Sequence, residues 1–216
     1  MSDIADLREE YAQAALSRDH VADDPIQQFR DWFDEALDAE VHEPNAMTLA
    51  TAAPDAAPSA RIVLLKGLDN SGFRFYTNYE SHKGRELAQN PNVALVFWWP
   101  PLERQVRIEG RAERLPEPES TAYFHSRPRG SQLGAWASPQ SRVVDSRAEL
   151  EDTLDAVTAE YEDADEIPRP PHWGGYVVRP TTIEFWQGRP NRLHDRLQYR
   201  RPTPDATDWT LERLAP

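Results

Sequence analysis

The chain has 216 residues, no cysteine, and 37 acidic side chains against 24 lysines and arginines, for a formal net charge of −13. That length suits one large domain or two small ones with a real core, and the missing thiols exclude disulfides, thiolate nucleophiles and cysteine-based metal sites. The charge is uneven: residues 1–60 carry −11 and 145–166 carry −9, while 61–144 (+4) and 167–216 (+3) are net positive.

An acidic coat around basic middle and tail segments argues against nucleic acid, which needs a broad basic face. It suits a pocket for a small anion or, equally, a protein working at high salt. The first residues lack a basic stretch followed by an apolar one, and no apolar run approaches a membrane span. A soluble cytoplasmic protein without a membrane partner is therefore expected.

In chain order, Ile4, Leu7, Tyr11, Ala14 and Ala15 predict a short amphipathic helix over 3–18. Asp24-Pro25-Ile26-Gln27 reads as a helix start, with Asp24 as cap and Gln27 three residues on. Ile26, Phe29, Trp32, Phe33, Ala36 and Leu37 then make one apolar face. The period changes to that of strands at 47–53, 59–66, 73–78, 92–99 and 103–115, with turn residues between them. Helices are predicted at 81–90, capped by Ser81, and at 116–124, 131–138 and 146–162, the last acidic and solvent-facing. Strands return at 175–178, 182–187, 191–200 and 209–214. Many short antiparallel-type strands with a few helices predict a mainly β fold of the α+β type, a β-barrel with peripheral helices.

Several stretches could carry chemistry. Only two of the 24 basic residues are lysine, Lys66 and Lys83, which suggests a compact ammonium offered to a phosphate, or chance survival. Arg61-Ile62-Val63-Leu64-Leu65-Lys66 has a charge at each end of an apolar strand. The two differ in parity, so both reach one site only across a bulge or near a subunit boundary; an ordinary core strand with snorkelling ends fits as well. Tyr76-Thr77-Asn78 ends a strand, and Ser81-His82-Lys83-Gly84-Arg85 opens a helix whose N–H groups and cations make a phosphate cradle. Further donors follow in Gln105, Tyr123, Arg127, Ser131, Gln140 and Ser141. Arg192, His194 and Arg196 alternate with Leu193 and Asp195, so an extended strand would turn all three to one face. There two guanidiniums bracket an imidazole and keep it neutral near pH 7. With Trp186 as an aromatic wall, that face fits a planar anion; a solvated basic strand beside a core tryptophan fits the spacing as well.

Taken together these segments resemble the pyridoxine/pyridoxamine 5′-phosphate oxidase family over nearly the whole chain. The likeness is carried by Arg61–Lys66, Phe75–Asn78, Leu102–Val106, Tyr123–Arg129, Ser131–Trp136, Gln140-Ser141, Trp173–Gly175, Ile183–Gly188, Arg192–Arg196 and Glu212–Pro216. The resemblance implies a homodimeric, FMN-binding split β-barrel over residues 21–216, with residues 1–20 as a mobile segment and possible lid. It implies oxidation of pyridoxine 5′-phosphate or pyridoxamine 5′-phosphate to pyridoxal 5′-phosphate, with O2 as electron acceptor and H2O2 released. FMN would meet Arg61, Ile62, Val63, Leu64, Leu65, Lys66, Tyr76, Thr77, His82, Lys83, Gln105, Gln140, Ser141, Trp186 and Arg196 near the dimer interface. The substrate would meet Lys66, Tyr123, Arg127, Ser131, Arg192, Leu193 and His194, with Arg8 and Tyr11 in the lid. Arg192 and His194 would stand nearest the chemistry, and no metal is implied. One departure is His82, where the family usually has arginine; a neutral imidazole weakens the phosphate clamp unless Arg85 or the helix-end amides compensate.

Overall fold

The computed structural model describes Tyr11 and residues 14–216. The expected helix at 3–18 falls mostly outside these; its described part, 14–17, is not helical, and Arg18–His20 form a single 3-10 turn. Helix α1 (Pro25–Asp38) starts as its sequence dictates, Asp24 accepting the Ile26 N–H at 2.9 Å. Gln27 does not complete a capping box; its amide goes to Asp31 instead.

Among the described residues nine strands form one curled antiparallel sheet: β1 (Ala46–Ala52), β2 (Pro58–Leu64), β3 (Gly67–Asp69), β4 (Gly72–Asn78), β5 (Asn92–Trp99), β6 (Arg104–Arg114), β7 (Trp173–Gln187), β8 (Asp195–Arg200) and β9 (Thr210–Arg213). Their order is β2-β1-β5-β6-β7-β4-β3, with β8 also on β7 and β9 on β8. Helices α2 (His82–Gln89), α3 (Glu117–Ser126), α4 (Arg129–Ala137) and α5 (Arg147–Glu160) lie around it. The barrel splits along β7, a 15-residue strand predicted as two. One edge of β7 follows β6 over 176–187; the other pairs with β4 over 173–178 and with β8 over 182–187. The change of partner falls at Pro180, which has no N–H to offer a ladder. Opposite it the register slips between Glu109 and Gly110, where a Cβ on Gly110 would stand 2.3 Å from the Arg179 carbonyl.

Alternation along the strands turns Met47, Leu49, Leu95, Phe97, Val106, Ile108, Phe73, Phe75, Ile183, Phe185, Leu197 and Tyr199 inward, all buried. Helix α1 packs on them: Phe29 meets Phe73 and Phe97 at 5.0 Å, and Trp32 meets Phe185 at 5.1 Å. Each such ring contributes roughly 1.5–3 kcal/mol by leaving water. A second core of Phe124, Leu133, Ile167 and Trp173 seats α3 and α4 outside β4. Helix α5 is acidic and buries no residue, as its composition requires. Among the described residues no helix is long and apolar enough to cross a membrane.

Candidate active site

The cleft begins where β2 stops. Predicted to run to residue 66, the strand ends at Leu64; Lys66 then donates its backbone N–H to Arg74 of β4. That break takes Lys66 off the strand, so its side is no longer set by the parity of Arg61. Lys66 shares a cavity of about 330 Å³ with Ile62, Val63, Leu64, Tyr76, Thr77, Lys83, Tyr123, Arg127, Gln140 and Trp173. Its ammonium has no hydrogen bond or ion pair among the described residues.

Ser81 caps α2 by accepting the Gly84 N–H, which sets Lys83 beside the end of β4. The Lys83 Nζ donates to Gln140 Oε1 at 3.0 Å and to Thr77 Oγ1 at 3.3 Å. Burial, then the nearby Arg61 charge, push the Lys83 pKa down. At the other end the Tyr76 and Tyr123 rings stack at 3.8 Å, with Trp173 parallel beyond. Arg127 lies over Trp173, its Cζ 4.6 Å from the ring centre. Its Nη1 is buried without a hydrogen-bond partner, and burial holds its pKa below the usual arginine value. A buried guanidinium donor left open beside a tyrosine and a free ammonium suits a phosphate or carboxylate.

Other expected contacts do not line this cavity. Arg61 donates to Leu49 O at 3.2 Å, to Thr51 Oγ1 at 2.5 Å, to Ser59 Oγ, and to Glu86 Oε2 at 3.3 Å. His82 also spends its Nε2 on Glu86, at 2.9 Å. Burial alone would raise the Glu86 pKa, but hydrogen bonds from Thr51, Ser59 and His82 outweigh it and hold it at about 2. Leu65 is buried in the core, and Ser131 and Ser141 are exposed, Ser141 with φ 71°.

A second cluster crosses the outer face of the sheet. Trp98 faces Gln105, Gln105 faces Trp186, and Trp186 faces Arg196. Trp98 is 45% exposed and lies 6.1 Å from Trp186. Arg196 is gripped by buried Glu184 through two bonds, 2.7 and 3.1 Å, and donates to Ala215 O. This arrangement corrects the expected single strand through Arg192, His194 and Arg196. Pro190–Arg192 is a 3-10 turn in which Asn191 and Arg192 have φ of 57° and 59°, and β8 starts only at Asp195. Arg192 and Leu193 are exposed at the turn. His194 lies tilted against Trp186, ring centres 4.6 Å apart, and Tyr11 meets both rings edge-on at 5.8 Å. The expected neutrality of His194 holds for a different leading reason: burial lowers its pKa first, Arg192 second. Its Nδ1 accepts the Arg189 N–H at 3.1 Å, so the ring proton sits on Nε2. The other expected lid residue, Arg8, lies outside the described residues.

Within one chain, then, Lys66, Tyr123 and Arg127 share a cavity that Gln105, Trp186, Arg192, His194 and Arg196 do not line. Sequence reasoning passed over Trp98, Trp173, Glu86 and Glu184 as site residues. Strict alternation could have found Trp98 (outward between buried Phe97 and Trp99) and Glu184 (the acid between Ile183 and Phe185).

Comparison with known proteins places this geometry. Residues 33–161 match the family model described as pyridoxamine 5′-phosphate oxidase, and residues 173–216 match the pyridoxine 5′-phosphate oxidase C-terminal dimerisation region. The chain is 78% identical to a pyridoxine/pyridoxamine 5′-phosphate oxidase of Salinibacter ruber, over all of both chains. Among solved structures, PhzG from Burkholderia lata, in complex with tetrahydrophenazine-1-carboxylic acid, superposes with a TM-score of 0.87 at 31% identity, covering 96% of this chain and all of that one. A pyridoxamine 5′-phosphate oxidase-related, FMN binding protein from Nostoc punctiforme shares the fold, with a TM-score of 0.67 at 19% identity over 87% of this chain and 97% of that one. Full-length identity, both family segments and a split barrel with its donor-lined cleft agree: the chain belongs to the pyridoxamine 5′-phosphate oxidase family.

Proposed function

We propose that the chain is an FMN-dependent oxidase that converts pyridoxine 5′-phosphate or pyridoxamine 5′-phosphate to pyridoxal 5′-phosphate, working as a homodimer. The observation that carries this reading is the open, buried Nη1 of Arg127 in a cavity it shares with Lys66 and Tyr123. When bound, FMN would supply a two-electron oxidation of the substrate at C4′, with O2 as the final acceptor giving H2O2; with the amine substrate, a water molecule would hydrolyse the resulting imine to the aldehyde and ammonia. Everything else falls to the protein.

Lys66, Tyr123, Arg127 and Ser131 anchor the substrate phosphate, so that binding energy far from C4′ fixes the orientation of the ring. Lys83, Thr77 and Gln140 hold FMN from one wall of the cleft, with Tyr76, the 61–66 segment, Ser141 and the start of α2 around them. His82 adds to this cradle only through Glu86, which already holds it. Gln105, Trp186 and Arg196 close the FMN site from the second copy, and Arg192, Leu193 and His194 of that copy cover the substrate ring. With Nδ1 occupied, His194 presents Nε2–H as a donor. It therefore fixes a polar substituent, and removal of a proton at C4′ is not its task. Arg196, saturated on one side by Glu184, acts as a fixed positive wall toward the flavin.

A second reading is favoured by the likeness to PhzG: an oxidase of an aromatic carboxylate that lacks phosphate. Adding pyridoxine 5′-phosphate to the yellow protein without air separates the two. Bleaching of the flavin bands, followed by peroxide on admitting air, is expected; bands unchanged by this substrate but bleached by a reduced aromatic carboxylate would establish the second reading.

A further inference from the structure

The segment behind Tyr11 is held to the His194 cluster through one carboxylate. Asp195 opens β8 between His194 and Arg196. Its Oδ2 accepts the Leu16 N–H at 3.1 Å and lies 3.5 Å from Arg189 Nε, while Oδ1 accepts from Arg213 Nη1 at 2.6 Å. Both arginines reach onward to the same segment. Arg189 Nη1 donates to Ala14 O at 3.0 Å, and Arg213 Nη2 donates to Leu16 O at 3.0 Å. The Asp195 side chain is 19% exposed against 37% and 49% for its partners, so the acid is the inner member. Farther along, Gly188 leaves room for Tyr11: a Cβ there would stand 2.7 Å from that side chain.

An isolated surface ion pair contributes little, but this is a network in which one acid serves two arginines and a backbone N–H. Each arginine in turn satisfies a carbonyl of a stretch that has no helix or sheet to satisfy it. Removing the charge, as in Asp195→Asn, leaves one acceptor oxygen where two served the Leu16 N–H and both guanidiniums, and puts an NH2 against a donor on the other side.

We propose that Asp195 is a positioning residue: it latches residues 14–16 to the Arg189 turn and to β9, and thereby keeps the Tyr11 ring against His194 and Trp186. This rests on the reading of the site given above and adds a residue to it, since Asp195 meets neither FMN nor substrate there. Its effect on the reaction passes through the wall that Tyr11 provides.

The absence of native cysteine makes a direct test possible. Leu16→Cys puts a single thiol at a position only 6% exposed, and Ala14→Cys is a second reporter in the same segment. In the FMN-loaded protein, the rate of thiol modification by a disulfide reagent is expected to rise about tenfold or more when Asp195→Asn is added. Arg213→Gln and Arg189→Gln should each raise it about two- to fivefold, so the test stands even if Asp195→Asn folds poorly. Asp195→Asn in the parent chain should raise KM for pyridoxine 5′-phosphate about tenfold, with FMN affinity changed less than about twofold. Thiol rates unchanged in all three variants would overturn the latch. Faster thiol modification with KM unchanged would overturn the positioning role. A parent chain that turns over no pyridoxine 5′-phosphate would instead count against the proposed reaction, while the thiol rates still decide the latch.

Discussion

The cleft between β2, β4 and α3 and the ring cluster at Trp186 are built on opposite electrostatic plans. In the cleft, Lys66 carries no partner among the described residues and Arg127 keeps a buried N–H open. In the ring cluster nearly every charge is spoken for: Arg196 by Glu184, Arg189 and Arg213 by Asp195, the His194 Nδ1 by a backbone N–H. Open donors suit an anion, whereas closed pairs fix the shape of an aromatic surface. On the proposed function the two regions are a binding half and a shaping half of one site.

Three substitutions sharpen or break that contrast. Among the described residues Arg192, exposed on a turn at positive φ, is the one cation of the shaping half in no ion pair, and it is proposed to cover the substrate. Arg192→Leu should lower kcat/KM about 1,000-fold while FMN affinity changes less than about threefold; steady-state rates and flavin fluorescence titration read the two separately. In the binding half, Lys83→Met should weaken FMN binding about ten- to fiftyfold, measured by the same titration, because two neutral oxygens then face the phosphate with no charge between them. The smallest effect belongs to Glu86. Its folded pKa of about 2 lies below the ordinary 4.5, so its stabilisation is complete above pH 4.5 and is lost as pH falls toward 2. Glu86→Gln should cost on the order of 2 kcal/mol at neutral pH and remove that acid limb from a plot of Tm against pH.

Much of the fold could be read from the residues because local signals and tertiary contacts agree. Ser81 and Asp24 cap helices where they should, and the apolar alternation from Asn92 to Trp99 is a strand with those same ends. The failures have physical causes. Pro180 reads as a strand break, yet it sits at a bulge where no N–H is required, so β7 runs through it. Arg192, His194 and Arg196 alternate as strand residues do, but the two residues at positive φ before Leu193 turn the chain instead. The cleft was legible as a set of donors, since Lys66, Lys83, Tyr123, Arg127 and Gln140 do converge. That Glu86 would also claim Arg61 was not legible, because the acid comes from the buried side of α2 and only packing reveals its reach; its hold on His82, four residues earlier in the predicted helix, was readable from spacing.

The central claim, that the binding half of one copy works with the shaping half of another, is tested most directly by mixing two disabled variants. Arg127→Leu damages the cleft and Arg192→Leu the ring cluster; each homodimer should be nearly inactive. After the subunits of the two are exchanged by mild denaturation and refolding, random pairing puts one intact site in each mixed dimer. Activity should then recover to about one quarter of the parent level. Exchange demonstrated by a mass or charge tag, with activity no higher than that of either variant alone, would mean that both halves serve the same site within one chain, and would contradict the claim.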